Sequence, residues 1–189
     1  MKQLSIIIIL FGLFSCQTKK ENSNPLIFED EVNFKTLRQV TFGGDNAEAY
    51  WSFDDKQLVF QSNNNNWNVE CDQMFLMNAD QTFKNNDPKM ISTGLGRTTC
   101  SYFLPDNEHI LYASTHEDNE KCPEVPLRKE GKYVWPIYDT FDIYVSDLNG
   151  KITNKLTDQV GYDAEATVSP MGDKIVFTST RNGDLDLYT

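Results

Sequence analysis

The sequence predicts an all-β fold assembled from repeats of a four-stranded antiparallel unit, and three observations predict it. First, the stretch Ser169-Pro170-Met171-Gly172-Asp173-Lys174-Ile175-Val176-Phe177 recurs in degenerate form, as residues 52–60 and again as residues 104–112. Second, the apolar runs are short and separated by Asn, Asp, Gly and Pro clusters, with no helical periodicity anywhere. Third, 39% hydrophobic and 12% aromatic residues in a 189-residue chain suffice for a packed core.

Each element follows from the repeat. Pro170, Gly172 and Asp173 make a tight turn that feeds the β-branched run Ile175-Val176-Phe177, the start of a hairpin strand. Aligning Phe60, Tyr112 and Phe177 also aligns Val40-Thr41, Ile91-Ser92 and Leu156-Thr157 upstream. Downstream it aligns Met74-Phe75-Leu76, Ile143-Tyr144-Val145 and Leu187-Tyr188-Thr189. Four short strands per unit of about forty residues is the arithmetic of a β-propeller blade. The units run 37–82, 89–150 and 155–189, and they differ mainly by an insertion in one loop, at 117–140.

The series Leu156-Thr157, then 169–177, then Ser179 to Gly183, then Asp186 to Thr189 resembles the TolB-type β-propeller repeat. Unit three matches best. Unit one has Phe53 and Asp55 where the pattern has Pro and Gly, and unit two has Asn107 for the Gly and His116 where Arg181 stands. The resemblance implies that the Leu-Thr run is the outer strand of the preceding blade and that the innermost strands run over 46–53, 98–104 and 163–169. It also implies a role as a binding platform, as a subunit of an envelope complex or as the gating domain of a peptidase. About three blades are present where a ring takes four to eight, so the ring is expected to be incomplete. The run 37–41 is then left without its blade, the edge at 185–189 is bare, and the natural gene product is expected to be longer.

The amino terminus reads as a lipoprotein signal. Lys2 precedes an apolar run from Leu4 to Phe14, too short to span a bilayer, and Leu13-Phe14-Ser15-Cys16 resembles the bacterial lipobox. Residues 1–15 are expected to be the signal peptide, Cys16 the lipid-bearing residue, and 16–36 the anchor and a polar tether. Gln17 after the Cys resembles the pattern that allows sorting to the outer membrane.

Candidate site residues come from the inner strands. Ala47-Glu48-Ala49 aligns with Ala164-Glu165-Ala166, and Cys100 takes the Glu position in unit two. Inner strands converge on the channel, so Glu48 and Glu165 with His116 are a candidate site for a cation or ligand. The alternative is that each Glu accepts hydrogen bonds from backbone amides of the neighbouring blade. His109 sits in a turn and needs no further role. No metal motif, nucleophile elbow, phosphate loop or zinc-protease motif occurs, and the glycines of Gly94-Leu95-Gly96-Arg97 lack a dinucleotide context. With 28 acidic against 17 basic residues the net charge is −11, which argues against nucleic acid as a partner and against an anionic membrane surface.

The insertion ends in a cluster of large side chains, Tyr133, Trp135 and Tyr138. They either fold back over the neighbouring blade or form a patch for a protein or glycan partner. Of the cysteines other than Cys16, Cys71 and Cys100 are the expected disulfide, because rigid sheet anchors both, while Cys122 lies in the insertion. The reading as a whole is a lipid-anchored envelope scaffold, without catalysis or cofactor, that contacts a protein partner. The alternatives are the amino-terminal propeller of an envelope peptidase and a propeller that binds sugar or another small ligand.

Overall fold

The computed structural model describes residues 24–82, 87–125, 131–132 and 135–189, so the signal segment, Cys16 and Tyr133 lie outside the described residues. The chain divides into two compact units, 1–38 and 39–189. In the first, the stretch from Asn24 is held in turns. Asn24 Nδ2 donates to the Leu37 carbonyl at 2.6 Å, and the Phe28 amide donates to Glu31 Oε2 at 2.8 Å. The expected plain tether is therefore locally folded over its described half.

The second unit is three antiparallel sheets in series. Blade one orders β1 (Asp45–Trp51), β2 (Gln57–Asn63), β3 (Gln73–Asn78) and β4 (Lys89–Met90). Blade two orders β5 (Thr98–Phe103), β6 (His109–Ser114), β7 (Asp142–Asp147) and β8 (Ile152–Lys155). Blade three has β9 (Asp163–Val168), β10 (Ile175–Ser179) and β11 (Asp186–Tyr188), with β11 at the edge. β4 and β8 close the sheets of the preceding blades, next to the Ile91-Ser92 and Leu156-Thr157 runs. Residues 37–40 form no strand.

The three hairpin turns repeat in detail. The carbonyls of Ser52, Leu104 and Ser169 accept from the amides of Asp55, Asn107 and Gly172, at 3.0, 3.0 and 2.8 Å. These three residues hold left-handed backbone, with φ of 59°, 56° and 74°. Asp and Asn are the side chains that tolerate this region, which is why the two departures from glycine leave the turn intact. Gly172 has a further reason. A Cβ there would stand 2.5 Å from Pro105 Cγ in the turn of blade two. Asn107 Oδ1 likewise receives the Asp54 amide at 3.2 Å, so the turns link blade to blade.

Each blade also carries one cross-strand aromatic pair. Phe60 faces Phe75, Tyr112 faces Tyr144, and Phe177 faces Tyr188, with ring centroids 5.9, 6.4 and 6.0 Å apart. A third planar group caps each pair. Trp67 lies 5.1 Å from Phe75, His116 lies 4.6 Å from Tyr144, and the Arg181 guanidinium lies 4.9 Å from both Phe177 and Tyr188. Such contacts add about 0.5–1.5 kcal/mol each beyond the area they bury.

The cysteine expectation is corrected. Cys71 is bonded to Cys122, with Cα atoms 6.0 Å apart, and Cys100 is a free thiol. Cys100 sits in an irregular stretch of β5 and its thiol contacts Thr99 Oγ1 at 3.2 Å, whereas Cys71 stands just before β3, where the insertion reaches it.

Candidate functional site

The inner strands do bring the aligned Glu48, Cys100 and Glu165 together. Each lies where the inner-strand register slips, between Ala47 and Tyr50, between Thr99 and Tyr102, and opposite the Val176 to Thr178 step. All three have left-handed backbone, with φ of 49°, 45° and 58°. A non-glycine residue there costs about 1–3 kcal/mol and persists only where its surroundings fix it. The three residues line one cleft of 140 Å³ together with Tyr50 and Ser101.

Among the described residues neither carboxylate accepts from amides of the neighbouring blade, which the alternative reading expected. Glu48 Oε2 accepts from the Tyr50 hydroxyl at 2.9 Å, and Glu165 Oε2 accepts from Thr178 Oγ1 at 2.9 Å. Burial, and then the Glu48 carboxylate, push the Tyr50 hydroxyl up to about 12. Burial pushes the Cys100 thiol up to about 11, and the charges of Glu48 and Glu165 add to it. Among the described residues no group of three His, Cys, Asp or Glu side chains is arranged to hold a metal ion.

His116 does not join this cleft. Its Nδ1 lies 3.0 Å from Ser114 Oγ, which also accepts the His116 amide at 3.2 Å. Burial lowers its pKa below the ordinary value, with Glu117, Lys155 and Asp142 around it. The Ser114 hydroxyl is at nucleophile distance from an imidazole, yet Ser114 is fully buried. Ser179 does the same for Arg181, receiving its amide at 3.2 Å and its Nε at 2.9 Å. The Ser–His pair is a blade cap. His109 pairs with Asp106 Oδ2 at 2.8 Å within its own turn.

The larger site is a 440 Å³ cleft between the inner-strand ends of blades one and two and the insertion. Its floor holds the Arg97–Asp72 ion pair, Gln61 and Thr98, and its wall is Val125, Trp135 and Tyr138. Gln61 is fixed from below, because its Oε1 accepts the Cys100 amide at 3.2 Å. The wall is fixed at two points. The Cys71–Cys122 bridge holds one arm of the insertion, and the Tyr138 hydroxyl donates to the Glu124 carbonyl at 2.8 Å. Tyr138 also packs on Phe141, and Phe141 on Tyr162, at 6.0 and 5.6 Å. Tyr138 thus folds back over the body, while Trp135 and Ile137 are each 44% exposed and Val125 is 63% exposed.

Sequence reasoning found Trp135 and Tyr138 through their density in a short loop. It missed the Arg97–Asp72 floor, whose members come from separate blades and carry no shared local pattern.

No family model matches the chain. Solved structures do resemble it. A protein described as a TolB of Agrobacterium tumefaciens superposes with a TM-score of 0.52 at 19% identity, over 79% of this chain and 44% of that one. TolB of Acinetobacter baumannii gives a TM-score of 0.49 at 20% identity, over 77% of this chain and 29% of that one. The fold is TolB-like. The chain spans less than half the length of either protein, and at this identity the likeness to the first speaks for the fold alone.

Proposed function

We propose that the protein is a non-catalytic, lipid-anchored propeller scaffold of the bacterial envelope that binds a protein partner through the insertion cleft. One observation carries the reading: a disulfide ties the insertion to the body and a hydrogen bond joins its two arms, while Trp135, Ile137 and Val125 stay exposed beside a polar floor. A large aromatic held rigid in advance loses little entropy on binding, which is how interface anchors work. The envelope assignment rests on the Leu13-Phe14-Ser15-Cys16 sequence and on the oxidising compartment that a structural disulfide implies.

The test is a photocrosslinking amino acid placed at Val125 in living cells, with Met171 on blade three as the exposed control. A discrete adduct from position 125 is expected, lost on Trp135→Ala and absent from position 171. No adduct, or one indifferent to Trp135→Ala, overturns the reading. In the same cells Cys16→Ser should abolish fatty-acid labelling and detergent-phase partitioning.

The cleft volume favours a second reading, since 440 Å³ lies within the range of small-molecule sites. A sugar stacked on Trp135 would raise the melting temperature of the isolated protein, which a partner protein's absence would not allow.

A further inference from the structure

The insertion cleft does not stop at its polar floor. Period-two alternation turns Asp45 and Ala47 of β1 to one side, and the register sets Asp45 opposite Asn63 and Ala47 opposite Gln61. All four line the 440 Å³ cleft, together with Thr98 and Thr99 of blade two. Asp45 and Asn63 also line a second cleft, of 590 Å³, with Asn65, Asn66 and Glu70. The two clefts are therefore one groove, apolar at the insertion and polar at the loop between β2 and β3.

The polar end is held in place before anything binds. Asn64 Oδ1 accepts the Asn66 amide at 3.1 Å, and Asn64 Nδ2 donates to the Gly43 carbonyl at 3.2 Å. Trp67 pins the same loop, with its ring 6.3 Å from Phe60 and 5.1 Å from Phe75. Glu70 adjoins Cys71, so the bridge to Cys122 ties this end covalently to the insertion that carries Val125 and Trp135. The groove's charge is left unbalanced. Arg97 and Asp72 neutralise each other, whereas Asp45 and Glu70 are exposed and enter no ion pair among the described residues.

We propose that the partner lays a basic segment along this groove, with an apolar side chain against Trp135 and Val125 and a lysine or arginine over Asp45 and Glu70. This rests on the protein-partner reading above and adds the partner's chemistry. The apolar wall anchors the segment, and the two carboxylates set its direction and select its charge. The chain's net charge of −11 acts in the same sense, drawing a basic partner in and turning an acidic one away. A neutral sugar would stack on Trp135 yet leave both carboxylates without a counter-charge, and an anionic lipid headgroup would be repelled by them.

The test uses the photocrosslinking amino acid at Val125 of the full chain in living cells and measures the yield of the adduct in charge variants. Asp45→Asn with Glu70→Gln should lower the yield about fivefold, and Asp45→Lys with Glu70→Lys about 30-fold or more. Asp45→Glu with Glu70→Asp keeps both charges and should keep the adduct. Both positions are exposed, so each variant should melt as the parent does, and the nearly isosteric neutral pair decides the matter should the reversed pair fail to fold. An adduct lost on Trp135→Ala but indifferent to the neutral and reversed pairs overturns the basic segment and leaves the partner reading standing. No adduct from the parent overturns both. An adduct that resists protease identifies a glycan, and a loss in the charge-keeping pair as large as in the neutral pair shows that shape rather than charge is read; either result overturns the proposal.

Discussion

Blades two and three place the same aromatic pair in the same register and then treat it differently. Blade two caps Tyr144 of its pair with a half-buried imidazole beside Lys155, whose Nζ pairs with Glu117 at 2.7 Å and Asp142 at 2.9 Å. Blade three caps Phe177 and Tyr188 with a guanidinium that also meets both oxygens of the buried Asp163 at 3.1 Å. The repeat keeps a planar group against the aromatic pair and leaves its chemistry free, one ring being covered in blade two and both in blade three. The faces differ as well. Leu111 and Ile143 are covered by the next blade, while Val176 and Leu187 are not.

The sharpest way to break this comparison is to truncate one position in both blades. Ile143→Ala removes a fully buried side chain and should cost roughly 4 kcal/mol, while the equivalent Leu187→Ala should cost less than about 0.5 kcal/mol. Urea unfolding at low protein concentration measures both. Equal losses would mean that the two faces are not equivalent surfaces in different states of cover.

The next effect lies at the caps. Arg181→Ala leaves the Asp163 carboxylate buried without its partner, at 3% side-chain exposure, and should cost about 3 kcal/mol. Adding Asp163→Asn to that variant should recover part of the loss, and no recovery would show that the guanidinium acts only through the rings.

The smallest effect is a pH dependence. Burial keeps the His116 pKa below its ordinary value of 6.5, so below that pH the unfolded chain takes a proton that the folded one refuses. Stability from this group is therefore complete above pH 6.5 and lost as pH falls toward the folded value. His116→Gln should flatten the parent's decline between pH 7 and 5. An unchanged decline would assign it to the carboxylates.

What the sequence carried and what it did not divide along physical lines. The hairpin turns, the inner strands and the equivalence of Glu48, Cys100 and Glu165 were legible because local chemistry fixes them. Gly172, Asn107 and Asp55 are the residues a left-handed turn position accepts, and period-two alternation places the rest. His116 was legible as a departure, but its use as a lid depends on Tyr144 from another strand. The disulfide was not legible. It depends on an inner-strand bulge that carries Cys100 to the channel cleft and on an insertion that folds back to Cys71. The Arg97–Asp72 floor was hidden for the same reason, since each charge becomes meaningful only when two blades meet.

Burial of Cys100 has a consequence for how the protein matures. Cys71, Cys100 and Cys122 can join in three ways, and a leftover thiolate can attack a finished bridge and shuffle it. With burial pushing its thiol up to about 11, Cys100 in the folded protein stays protonated at pH 7. Once β5 has formed, the chain has withdrawn its own most available shuffling agent, and the Cys71–Cys122 bond becomes a kinetically sealed product of folding.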